Sequence, residues 1–146
     1  MSRTIALALL FAAVARADAP KPPSSEEALV AHVAEAKWAP PKQPEIPPGA
    51  MASPIAADPA SGAPIGYAKF PSGYTFPLHW HSFNEYTVLV AGKLAFTVGG
   101  KSNDLLPGSY IVIPAKAPHK AACAAGADCV LLTRRAGPAD YHFVKE

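Results

Sequence analysis

The chain is 146 residues long, which allows one ordinary domain core and not two. Half of its residues are hydrophobic, and 13 basic residues against 11 acidic ones leave a net charge of +2. So small an excess, with no clustered basic run, excludes nucleic acid and anionic membrane surfaces as partners, because both are met by concentrated positive charge.

The N-terminus reads as a secretory signal peptide over residues 1–17: Met-Ser-Arg, an apolar run from Ile5 to Ala15, and the small-residue close Ala15-Arg16-Ala17 before Asp18. As a helix that run rises roughly 16 Å, about half of a bilayer's hydrocarbon thickness, so no stable membrane anchor is expected. No cysteine lies near the cleavage point to carry a lipid. Cleavage would remove Arg3 and Arg16 and no acid, leaving a neutral mature chain in the periplasm or secreted.

Residues 18–50 form a lead of different texture. Ser24-x-x-Glu27 offers a capping box for a short helix through about Glu35, with Leu29, Val30 and Val33 as its apolar stripe. Trp38-Ala39-Pro40-Pro41 and then Pro44, Pro47 and Pro48 are too proline-dense for helix or central strand, and predict an extended arm. The arm is either a linker with a loosely docked helix or a strap that packs through Trp38 on the main domain or on a second subunit, as in a homodimer.

Residues 51–146 make the main domain. Short β-prone runs at 65–70, 75–81, 86–90, 94–98, 110–113, 129–133 and 141–144 are separated by Gly and Pro breakers, the texture of an all-β sandwich or barrel. There are no internal repeats and no glycine loop opening onto a helix to cradle phosphate. The two cysteines, Cys123 and Cys129, flank Ala-Ala-Gly-Ala-Asp and are expected to form a disulfide across a hairpin in an oxidising compartment. The alternative is Cys123 as a soft metal ligand, four residues after His119.

The chemistry concentrates at His79-Trp80-His81. Strand alternation puts both imidazoles on one face with Trp80 on the other. Glu85 follows after a short bend, and His119 arrives from far along the chain after Pro114 and Pro118. Three neutral imidazoles and a carboxylate suit one divalent transition metal ion, Zn, Fe, Mn, Ni, Cu or Co. Arg134 and Arg135 alternate in facing, so one of them is placed to meet an anionic ligand. His32 reads as a surface side chain. Tyr110 and His142 are the candidate acid–base residues, although nothing marks them strongly. Phe76, Leu89, Phe96, Ile111 and Ile113 are the candidate cavity walls.

Gly73, His79, His81, Glu85 and Gly92 fit the pattern G-x5-H-x-H-x3-E-x6-G at every fixed position. Gly108, Pro114 and His119 fit most of G-x5-P-x-G-x2-H-x3-N, with Lys116 in place of the second glycine and Cys123 in place of the asparagine. In these two motifs the chain resembles the cupin superfamily over about residues 60–135; in its leader, its Trp-Pro-rich lead and the segments Pro77-Leu78-His79-Trp80-His81, Pro107-Gly108-Ser109-Tyr110 and Gly137-Pro138-Ala139-Asp140 it resembles, more narrowly, the small exported single-domain cupins of bacteria. The resemblance implies an all-β, cupin-type jelly-roll β-barrel enclosing a metal held by His79, His81, Glu85 and His119. It admits two uses: a metal-dependent oxygenase, lyase or isomerase on a small oxygen-bearing organic substrate, or a non-catalytic extracytoplasmic module that binds a small molecule or metal.

Overall fold

The computed structural model of the protein describes residues 28–145; the signal peptide read at 1–17 and the capping residues Ser24 and Glu27 lie outside the described residues. The α-helix expected up to Glu35 is not found in the part of it that is described, which holds one 3-10 turn, Val33–Glu35. Two of its three stripe residues, Leu29 and Val30, are 54% and 72% exposed, and a helix this short is marginal in water without burial.

Ten strands follow: β1 (Met51–Ala57), β2 (Pro64–Phe70), β3 (Thr75–Trp80), β4 (Glu85–Ala91), β5 (Leu94–Val98), β6 (Lys101–Leu105), β7 (Tyr110–Ile113), β8 (His119–Cys123), β9 (Cys129–Arg135) and β10 (His142–Phe143). They build two antiparallel five-stranded sheets, in the orders β1-β2-β9-β4-β7 and β10-β3-β8-β5-β6. Among the described residues no ladder joins the sheets at their edges. The architecture is therefore a two-sheet jelly roll and not the closed barrel expected.

Alternation sets the interior. Glu85, Thr87 and Leu89 of β4 are buried, as are Leu94 and Phe96 of β5 and His119, Ala121 and Cys123 of β8, while the residues between them are more accessible. Both sheets contribute to one apolar cluster that includes Phe70, Phe76, Leu89, Phe96, Ile113 and Leu131. Cys123 and Cys129 form a disulfide with a Cα–Cα distance of 5.8 Å. Cys123 ends β8 and Cys129 begins β9, so the bridge ties one sheet to the other instead of closing a hairpin.

The Pro-rich arm packs on its own chain. Trp38 lies 6.4 Å from the Tyr67 ring with Lys69 Nζ 4.7 Å above it. Ala39 bridges Ala52 of β1, and the Tyr74 hydroxyl donates to the Pro47 carbonyl at 2.8 Å. Ile46 and Ala50 join the core.

Candidate metal centre

The site lies between the sheets. The sheet of β3 and β8 supplies His79 and His119, which face each other across that ladder. A register irregularity between Phe76 and His79 lets both turn inward although they are three residues apart. His81 follows the end of β3 in the bend that carries the chain to the other sheet, where Glu85 opens β4 and pairs across the ladder with Arg135, the last residue of β9. The bend is held from both sides: the Lys116 N–H donates to the His81 carbonyl at 2.8 Å, and the Ala115 N–H donates to Asn84 Oδ1 at 2.8 Å.

All three imidazoles are buried, and one nitrogen of each lies within 4.8 Å of the others. Every Nδ1 meets a backbone carbonyl: His79 meets Pro77 at 2.8 Å, His81 meets Asp140 at 2.6 Å and His119 meets Ala117 at 2.9 Å. A carbonyl only accepts, so each Nδ1 carries the hydrogen and each Nε2 of a neutral ring is left as a lone pair. Burial, reinforced by the neighbouring His119, pushes His79 down to about 3, and burial likewise lowers His119; both rings are neutral near pH 7.

Glu85 has the opposite character. Burial works to raise its carboxyl, but contact with His81 and the charge of Arg135 outweigh it and hold the group at about 2, ionised. Its Oε1 accepts from the Thr87 hydroxyl at 3.0 Å. Its Oε2 lies 3.0 Å from both Arg135 Nη2 and His81 Nε2. Neither His81 Nε2 nor Glu85 Oε2 completes a hydrogen bond, though both are buried. Two buried polar atoms without a hydrogen-bond partner thus face each other, an arrangement that a cation between them would stabilise. Donors about 3 Å apart are also what two adjacent ligands at ordinary metal–ligand distances require. The three imidazoles fit a transition metal ion on these grounds; Glu85 touches His81 but does not lie within the same mutual distance of all three.

The three imidazoles and Glu85 line a cavity of about 90 Å³, with Arg135 and Tyr141 beside them. Phe76, Phe96 and Ile113 wall it as expected. Leu89 and Ile111 belong instead to the packed core around it. Pro41, Ile46 and Ala50 of the arm close part of it, a role the sequence did not suggest.

The structure does not bring the two acid–base candidates to the cavity. Tyr110 stands on β7, 62% exposed. His142 stacks on Trp80 at 3.8 Å and meets Asp140 Oδ2 at 3.1 Å and Ser82 Oγ at 3.3 Å. Both contacts use Nε2, so this Ser-His-Asp cluster lacks the through-ring arrangement a nucleophilic triad needs. Cys123 is committed to the disulfide and is no ligand. Of the two arginines Arg135 points inward, and Arg134 pairs outside with Asp58 at 3.2 Å. Tyr141 and Asp140 were missed. Alternation along Tyr141-His142-Phe143 could have found the first, because an outward His142 sends both neighbours in.

A family model described as a cupin domain matches residues 66–133. Among solved structures, the polyketide cyclase RemF from Streptomyces resistomycificus aligns with a TM-score of 0.67 at 16% identity, covering 82% of this chain and 87% of that one. An RmlC-like cupin from Shewanella frigidimarina aligns at 0.58 and 17% identity, over 72% and 87% of the two chains. A structure of the DMSP lyases RdDddP and RnDddQII aligns at 0.60 and 20% identity, over 75% and 63%. At such identities the likeness is one of fold. No curated protein matches the chain by sequence.

Proposed function

The chain belongs to the cupin superfamily, and from that premise we propose that it is an exported metal-binding cupin acting as a metal-dependent enzyme, an oxygenase, lyase or isomerase, on a small oxygen-bearing organic substrate. The observation that carries the reading is the convergence of three buried imidazoles, one nitrogen of each within 4.8 Å of the others, with every Nδ1 against a backbone carbonyl. His79, His81 and His119 would hold one divalent transition metal ion, with Glu85 as the fourth ligand and its only negative charge. Bound there, the ion supplies Lewis-acid polarisation of a chelated oxygen. The chain's own residues keep the His79 and His119 imidazoles neutral near pH 7, fix the orientation of all three rings through carbonyls and line the site with Phe76, Phe96 and Ile113. Export is supported by the leader-like residues 1–17 and by a disulfide that suits an oxidising compartment.

One observation favours a second reading, a non-catalytic extracytoplasmic binding cupin. Glu85 is engaged by Arg135, His81 and Thr87 and held at about 2, so it offers no free base. Protein stripped with a chelator, reloaded with each candidate metal and screened against small chelating acids separates the two. Metal-dependent turnover of any acid supports the enzyme, and saturable binding without turnover supports the binding module.

A further inference from the structure

We propose that Arg135 is the residue that orients the ligand of this site, and that the cavity takes a short-chain carboxylate with a second oxygen on its α-carbon, a 2-hydroxy or 2-oxo acid. The inference rests on the metal-binding reading above. Arg135 is 6% exposed and, among the described residues, is the only Lys or Arg on the cavity wall. Its Nη2 lies 3.0 Å from Glu85 Oε2, its Nη1 3.4 Å from the Asp140 carbonyl, and the guanidinium sits 4.8 Å from the Tyr141 ring centroid. These contacts fix the plane of the group while leaving some of its five N–H donors for a ligand.

The charges of the cavity set the sign of that ligand. Glu85 and Arg135 offset each other at 3.0 Å, and imidazoles coordinate a metal only through an unprotonated nitrogen, so they add no charge to a metal-loaded site. A divalent ion added to this set leaves two positive charges uncompensated among largely apolar walls, and buried uncompensated charge is costly. An anionic ligand removes that cost and a neutral one does not. The guanidinium fork matches a carboxylate, and a second oxygen on the adjacent carbon lets the same molecule chelate the ion. A cavity of about 90 Å³ has room for a short acid of this kind.

Calorimetry on the zinc-loaded protein tests this with lactate and pyruvate against lactamide and acetoin, neutral analogues of similar shape. The acids should bind at least about tenfold more tightly, as expected of a charge-assisted contact. Arg135→Gln should bring the lactate-to-lactamide ratio close to one at unchanged zinc content, and Arg135→Lys should restore part of it. A merely structural arginine would not move that ratio. If Arg135→Gln does not fold, because Glu85 is left unpaired, the acid–amide comparison in the parent decides alone. Equal affinity for lactate and lactamide, or no binding of either acid, overturns the inference and leaves the metal reading standing. Undiminished lactate selectivity in folded, zinc-loaded Arg135→Gln overturns the role of Arg135, and a parent that takes up no divalent ion overturns both readings.

Discussion

The histidines act through their second nitrogens. The carbonyls of Pro77, Asp140 and Ala117 decide which tautomer each ring adopts, and that choice turns three side chains into a donor set. Burying neutral imidazoles has a cost in acid. His79 has a folded value of about 3 against the ordinary 6.5, so below pH 6.5 the unfolded chain takes up a proton that the folded ring refuses. Glu85, at about 2 against 4.5, adds to the effect lower down, since its ionised folded form is favoured and that advantage is lost as pH falls. Chelator-treated protein should therefore lose stability steadily as pH drops from about 6.5 toward 3, as followed by denaturant unfolding. A flat profile down to pH 4 would contradict the burial argument. Lys116 offers an independent residue-scale test. It adopts φ +64°, left-handed, at the motif position where a glycine was expected, and its N–H holds the His81 bend. Lys116→Gly should raise stability by about 0.5–1 kcal/mol in the same assay, by relieving the Cβ of a left-handed residue.

At the scale of elements, the bridge and one glycine hold the sheets together. Gly92 has φ +87°, and a Cβ there would stand 2.6 Å from the Asp128 carbonyl oxygen and 2.8 Å from Cys129 Sγ. Gly92→Ala should cost about 2–4 kcal/mol, read as a lowered denaturation midpoint, because backbone strain and overpacking add. Replacing both Cys123 and Cys129 by Ser should cost about 2 kcal/mol in the chain-entropy account of so short a loop, and a difference near zero would show that the bridge does not constrain the sheets. Seven of the ten strands could be read from the sequence because their apolar residues alternate between turn signals. The three missed lack that signal for separate reasons. Lys101–Leu105 is polar and exposed and is strand only through its hairpin with β5; His119–Cys123 is alanine-rich; Met51–Ala57 carries Pro54 at a register irregularity on a sheet edge. The disulfide's partners were readable, but that it crosses between sheets was not, because six residues of spacing fit a hairpin and a crossover equally.

Across the whole molecule, the fold gathers residues that the sequence scatters. Two sheets meet with His79 and His119 on one and Glu85 and Arg135 on the other, and the bend at His81 joins them. The His79, His81, Glu85 pattern was visible because its spacing is local. Arg135 was legible only as one of an alternating pair and Tyr141 only as an inward neighbour of His142; that both line this cavity was not, since only the pairing of β9 with β4 and the return of the C-terminal segment bring them there. The arm's part in closing the cavity was hidden for the same reason. The central claim is that these histidines serve one metal ion. Metal content of the parent and of His81→Ala, purified side by side and measured by plasma mass spectrometry with folding checked by circular dichroism, tests it most directly. The account predicts about one divalent ion per chain in the parent and close to none in a folded His81→Ala, since the three imidazoles converge on a single point; equal metal in both proteins would contradict it.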